Sequence, residues 1–165
     1  MNTPWEPIAE CLRNEVAEYG RLLSLFGEQQ NLIFKRDPEN VLQLAHAIQE
    51  QVGVLDRARA EREGCVRDFA LALGEAPAAT LRSLLAWVAP EARPLFEALI
   101  TDINLLIHRI RRSSRLNHRL LSSMVECHQE VLRRLRPDAF TLTYAQNGRL
   151  AVAASRRAPS ISTAG

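Results

Sequence analysis

The stretch that decides the fold is residues 91–135, which read EARPLFEALITDINLLIHRIRRSSRLNHRLLSSMVECHQEVLRRL. Apolar side chains recur along it every three or four residues, a spacing that places them on one face of an α-helix. The recurring positions are Phe96, Ile100, Ile103, Ile107, Ile110, Leu121, Met124, Val131 and Leu135, with Ser114, Asn117 and His128 as polar members. A helix of this length spans about 65 Å and therefore predicts an elongated bundle.

Two earlier segments have stripes long enough to pack against that helix. The first, residues 6–35, carries a heptad-like stripe at Leu12, Val16, Tyr19, Leu23, Phe26 and Ile33, with Gln30 filling the gap. The second follows Asp37-Pro38, a cap-and-first-turn signal, and ends at Gly74. Its stripe is Val41, Ala45, Ile48, Val52, Leu55, Val66, Phe69 and Leu73, with Arg59 and Arg62 in apolar positions. Arg59 and Arg62 could lie near Ser114 and Asn117, the polar members of the later stripe. Polar residues within an apolar stripe fix the register in which two helices pack.

These segments predict an all-α fold, an elongated antiparallel bundle or coiled coil of three long helices and one short helix. The short helix, residues 80–88, would plug the open end of the hairpin that the first two helices form. We assign residues 1–136 to the bundle and residues 137–165 to a partner-binding, partly disordered tail. In the tail, Phe140–Tyr144 alternates with a period of two and Asn147-Gly148 favours a hairpin turn. The tail is thus either a marginal hairpin docked on the bundle or a flexible segment that orders on binding.

Charge is divided unevenly along the chain. Residues 1–80 contain 8 Lys+Arg and 13 Asp+Glu (net −5), whereas residues 81–165 contain 13 and 6 (net +7). Attraction between the two halves, together with a solvated face, is the favoured interpretation, and a basic surface for an acidic partner is the alternative. The most basic run is Arg109, Arg111, Arg112, Arg115 and Arg119. For it we favour a solvated or internally paired face over nucleic-acid binding, because no aromatic side chains interleave it.

Nothing in the sequence indicates catalysis, a cofactor or a metal site. The glycines are isolated, so no phosphate-binding loop is formed, and His108, His118 and His128 point in different directions around a helix. The cysteines Cys11, Cys65 and Cys127 are scattered, which fits a reducing compartment. No signal pattern and no apolar run of about 20 residues is present. We therefore expect a cytoplasmic protein that is not an enzyme and does not insert into membranes.

Short motifs near the C-terminus carry a resemblance to a known family. They are Asn117-His-Arg-Leu120-Leu121, then Leu135-Arg-Pro137, then Leu142-Thr-Tyr144-Ala-Gln-Asn-Gly148, then Ser155-Arg-Arg-Ala-Pro-Ser-Ile161. In this order they resemble the last helix and tail of FlgN-type flagellar export chaperones. The close match covers about 45 residues, and the rest agrees only in architecture.

The resemblance implies a cytoplasmic chaperone that binds the C-terminal helices of hook-associated proteins and escorts them to the cytoplasmic domain of the export gate. The implied cargo-binding residues are Asn117, Leu121, Met124, Val131 and Leu135. The implied residues for docking at the gate are Tyr144 and Gly148, although Gln-Asn stands where the family often has an acidic residue before the glycine. The alternatives are another helical adaptor, a chaperone for a different flagellar substrate such as the filament cap, or a basic nucleic-acid-binding regulator. From the residues alone, Leu121, Met124, Val131 and Leu135 could equally pack on the first helix.

Overall fold

The computed structural model describes residues 5–135 and the backbone of residues 140–144 and 150–154. The helices are α1 (Glu6–Lys35), α2 (Pro38–Ala72), α3 (Leu81–Leu84) with a following 3₁₀ turn (Leu85–Trp87), and α4 (Arg93–Leu135). The predicted all-α class, with three long helices and one short one, is confirmed. The chain divides into two compact units, Met1–Arg119 and Leu120–Gly165. The division lies within α4, and the predicted boundary between residues 136 and 137 stays a prediction.

The turn between α1 and α2 is built as the sequence predicts. Arg36 ends α1 in the left-handed region, with a φ of 55°. Asp37 then caps α2, because its carboxylate accepts a hydrogen bond from the Asn40 backbone N–H at 3.2 Å. The bonds from Asn40 also hold the pKa of Asp37 below its usual range. At the other end of α2, Gly74 has a φ of 74°, a conformation that glycine adopts readily.

Contacts in the first unit fix the directions of the long helices. Cys11 of α1 meets Cys65 of α2, and Glu18 meets Gln51, so α1 and α2 run antiparallel. The ring of Trp5, just before α1, lies 6.0 Å from that of Phe96 in α4. Since Phe26 and Gln29, late in α1, contact Asn117, α1 and α4 run parallel.

The short helix closes the end of the first unit where α2 stops. Thr80 caps α3 by accepting a hydrogen bond from the Ser83 backbone N–H at 3.2 Å. Leu84 and Val88 are buried and join a core cluster with Ile8 of α1 and Phe96 of α4. This arrangement confirms the predicted plug.

The predicted stripe of α1 is confirmed at its buried positions Leu12, Tyr19 and Ile33, and Val16 and Phe26 are half-buried against the same core. Leu12, Tyr19, Phe26 and Ile33 face the interior, but the intervening buried residues are Glu15, Leu22 and Gln29. The predicted intervening residues, Val16, Leu23 and Gln30, are only half-buried. The helix turns Glu15 and Gln29 inward because polar partners on α2 and α4 receive them.

Those polar partners do not lie side by side. Arg62 of α2 donates from its Nε to the Glu15 carboxylate, whereas Asn117 of α4 bonds to Gln29. Glu15 and Gln29 are 14 residues apart on α1, so the two contacts are separated by about 21 Å along that helix. Arg59 faces solvent and pairs with Asp56 of its own helix. The prediction that the polar positions of α2 and α4 adjoin is therefore wrong.

Attraction between the acidic and basic halves does not take the form of ion pairs among the described residues. Each ion pair among the described residues joins partners within 1–80 or within 81–165. The arginines of the basic run are exposed. Within the described part of the chain, none of them takes part in an ion pair.

In the second unit, the end of α4 is followed by two antiparallel strands, β1 (Phe140–Tyr144) and β2 (Leu150–Ala154). Strand pairing in the tail was one of the two predicted alternatives. Tyr144 lies opposite Leu150. A two-residue turn at Asn147-Gly148 would instead place Tyr144 opposite Ala151. The observed strand register therefore differs by one residue from the register that this turn would give. Asn147 and Gly148 themselves lie outside the described residues.

Candidate partner-binding site

Asn117 occupies an interior position in the first unit. Its Nδ2 donates to the Phe26 backbone carbonyl at 2.8 Å and to Gln29 Oε1 at 3.0 Å. Its Oδ1 is also buried and has no hydrogen-bond partner among the described residues. These bonds tie α4 to α1 and fix their register. Direct contact between Asn117 and cargo stays a prediction, since its side chain is already engaged within the bundle.

The last turns of α4, in the second unit, expose a largely apolar surface. We name it the terminal apolar face and define it as Leu121, Met124, Val125, Val131, Leu132 and Leu135. Leu121 and Met124 are half-buried, and the other four side chains are 47–73% exposed. At 100° per residue all six lie within an arc of about 120°, with His128 in its middle.

Two members of this face, Val125 and Leu132, were missed by the sequence analysis. The heptad stripe through Leu121 and Leu135 can be traced through Met124 and Val131, or through Val125 and Leu132. Only the first tracing entered the predicted set. Their exposure, 55% and 50%, is what adds them to the site.

The charged groups near the end of α4 lie on the opposite side of the helix. Glu130 Oε2 accepts from Arg133 Nη1 at 3.2 Å, and its Oε1 accepts from Arg134 Nε at 2.9 Å. Glu130 is rotated about 160° from the centre of the terminal apolar face. The arginines are thereby held by a local partner, and no charged side chain of residues 121–135 lies within the arc of the apolar face.

The predicted docking residues belong to the strands and their connection. Tyr144 is the last residue of β1, and its partner in the pairing is Leu150. Gly148 lies outside the described residues. The roles of both at the export gate stay predictions.

Two cysteines that are far apart in the sequence lie close together in the structure. Cys11 Sγ lies 3.6 Å from Cys65 Sγ, between α1 and α2. Burial, together with the hydrogen bond to Cys65, raises the pKa of the Cys11 thiol to about 11. The thiol is therefore protonated at neutral pH, a poor state for a nucleophile.

Metal ligands are not grouped in the part of the chain that the structure describes: no cluster of three or more His, Cys, Asp or Glu side chains occurs there. Among the same residues, no helix has the length and apolarity to cross a membrane. The surface best suited to binding is thus the terminal apolar face, which suits an apolar helix of a partner protein.

Comparison with known families gives one match. A family model described as FlgN protein matches residues 6–151. No curated protein and no solved structure matches the chain.

Proposed function

The chain belongs to the FlgN family of flagellar export chaperones, and on that premise we propose that it binds the C-terminal helices of hook-associated proteins and escorts them to the export gate. The FlgN family is not a family of enzymes. The observation that carries the proposal is the exposure of large apolar side chains on the terminal apolar face.

The chemistry of this face supports a helical ligand. Its apolar side chains extend from Leu121 to Leu135, a rise of about 21 Å along the helix. A cargo helix of three to four turns, in which the apolar spacing i, i+3, i+4 and i+7 is repeated, would cover that length. The face would in turn shield cargo residues that must remain unassembled before export.

The tail contains the residues that we propose for docking at the export gate, the step that follows cargo binding. Tyr144 ends β1, and the strand pair follows α4 directly along the chain. We assign Tyr144 and Gly148 to contact with the cytoplasmic domain of the gate. A Tyr144→Ala variant should lose binding to that domain while its affinity for cargo is unchanged, and Tyr144→Phe provides the conservative control. Equal loss of cargo binding in Tyr144→Ala would contradict the separation of the two roles.

The cargo step is tested by titrating the C-terminal fragment of a hook-associated protein into the full chain. Leu132→Gln with Leu135→Gln removes two exposed leucines from the terminal apolar face. If each contributes about 1–1.5 kcal/mol on burial, the pair should weaken binding about a hundredfold. The matched control is Leu42→Gln with Leu71→Gln, because those leucines are comparably exposed in the first unit.

The control variant should bind like the unmodified chain. Equal weakening in the two variants would contradict this placement of the cargo site, and failure of the unmodified chain to bind would contradict the proposed cargo. Repeating the titration with the filament-cap protein separates the two classes of substrate. If the cap protein binds more tightly, the cap protein and not a hook-associated protein is the cargo.

A further inference from the structure

The outward face of α4 in the first unit has an unusual composition. From Ile103 to Val125 the helix contains no aspartate or glutamate, whereas it contains five arginines between residues 109 and 119. We define the arginine face as Leu105, Arg109, Arg112, Leu116 and Arg119. These five residues lie within an arc of about 80°, and every one of them is exposed.

This face is opposite the side of α4 that packs into the bundle. Ile103 and Asn117, which belong to the same turns, are buried. The arginine face is therefore not used for packing within the first unit. It lies on residues other than the terminal apolar face.

The charges of the face are uncompensated within the described part of the chain. No described ion pair includes Arg109, Arg112 or Arg119. Elsewhere the chain places an acid three or four residues from an arginine, as in Glu18–Arg21 and Glu130–Arg134. Like charges at these spacings destabilise a helix, so the fold itself gains nothing from the run.

The two leucines of the arginine face indicate which class of anionic partner the face suits. Leu105 and Leu116 are 47% and 41% exposed, and they are separated by about 16 Å along the helix. A nucleic-acid backbone offers phosphates but no apolar group to cover leucines. An acidic amphipathic helix offers carboxylates to pair with the arginines and leucines to cover Leu105 and Leu116.

We propose that the arginine face is a second docking surface, which binds an acidic amphipathic helix of a partner protein. Carboxylates of that helix pair with Arg109, Arg112 and Arg119, and its apolar side chains cover Leu105 and Leu116. This surface goes beyond the proposed cargo and gate contacts. Its residues belong to the first unit, whereas those of the terminal apolar face belong to the second.

The probe is a synthetic helical peptide with leucine and glutamate at heptad spacing, together with an analogue that has glutamine for each glutamate. Binding to the full chain is measured by fluorescence anisotropy over a range of salt concentrations. The unmodified chain should bind the glutamate peptide saturably, more weakly as salt rises, and bind the glutamine analogue at least about tenfold more weakly.

Three variants, each checked for folding by circular dichroism, locate the binding. Arg109→Gln with Arg112→Gln and Arg119→Gln should reduce affinity at least about tenfold, and Leu105→Gln with Leu116→Gln should reduce it severalfold. The matched control removes three exposed arginines from other surfaces, Arg13→Gln with Arg57→Gln and Arg67→Gln, and should bind as the unmodified chain does.

Three results would overturn the proposal. The first is no saturable binding of the glutamate peptide to the unmodified chain. The second is equal weakening in the control, which would indicate attraction by net charge alone. The third is binding of heparin or duplex DNA that depends on the three arginines, with peptide binding unaffected by the leucine substitutions; the surface would then be a polyanion site.

Discussion

The buried ion pair between Glu15 and Arg62 gives the sharpest stability prediction. The Glu15 side chain is 2% exposed and that of Arg62 is 21% exposed. An Arg62→Met substitution keeps most of the apolar stem but removes the charge that neutralises Glu15. We expect this variant to be strongly destabilised, because it leaves a carboxylate in the interior without its partner.

The magnitude follows from the surroundings of the pair. Removing one partner of a fully buried pair costs about 3–5 kcal/mol. A cleft of about 270 Å³, lined in part by Glu15, Arg62 and Ile103, lets water reach the carboxylate in the variant. The expected loss for Arg62→Met is therefore about 2–3 kcal/mol. Glu15→Leu should cost only about 1 kcal/mol, since the Arg62 guanidinium can turn toward solvent.

Equilibrium unfolding in urea at neutral pH, followed by circular dichroism, measures these differences. The double variant Glu15→Leu with Arg62→Met should return to within about 1 kcal/mol of the unmodified chain. Arg67→Met, an exposed arginine on the same helix, is the control and should change stability by less than about 0.5 kcal/mol. The reasoning is refuted if Arg62→Met costs no more than the control, or if the double variant loses the sum of the single losses.

Three further predictions concern the interior of the first unit. Replacing Asn117 and Gln29 together by leucine should raise the free energy of unfolding by about 1–2 kcal/mol, because the unpaired Oδ1 is removed; a loss measured by urea unfolding would contradict a net cost of burying that oxygen. Because the pKa of Cys11 is raised from 9.0 to about 11, the unfolded chain loses that proton first, and stability should fall as pH rises from 9 to 11. In Cys11→Ser this contribution to the slope should disappear, and an unchanged slope would count against it. Oxidation by diamide should join Cys11 to Cys65 within one chain and raise stability by up to about 4 kcal/mol; mass spectrometry that finds only Cys127-linked dimers would contradict the contact between α1 and α2.

The sequence predicts those parts of the fold that depend on local patterns. The ends of α2 follow from Asp37-Pro38 and Gly74, which act through their own backbone and near neighbours. The three long helices follow from apolar spacing. The plug follows from the leucines after Thr80, which had to be buried somewhere and lay next to the open end of a hairpin.

The errors arise where a side chain's partner comes from another helix. Glu15 and Gln29 look like surface residues in a heptad pattern, and only Arg62 and Asn117 make their burial favourable. A one-dimensional pattern contains no such pairing. For the same reason the sequence did not reveal the contact between Cys11 and Cys65, which are 54 residues apart.

The candidate site was predicted in part because its residues share one helix. The positions Leu121, Met124, Val131 and Leu135 follow from helical spacing, but spacing alone left open whether they pack on the first helix or bind a partner. The exposure of Val131 and Leu135, 47% and 73%, favours a partner for the end of the helix. Asn117 differs from them, because its amide is used inside the bundle.

Hydrogen–deuterium exchange of the full chain, with and without the C-terminal fragment of a hook-associated protein, shows directly whether cargo binds the terminal apolar face. We predict slower exchange on cargo binding in the peptides that cover residues 121–135, where the terminal apolar face lies. Peptides that cover residues 39–50, in the first half of α2, should be unchanged. Protection of α2 with no change in residues 121–135 would contradict the account.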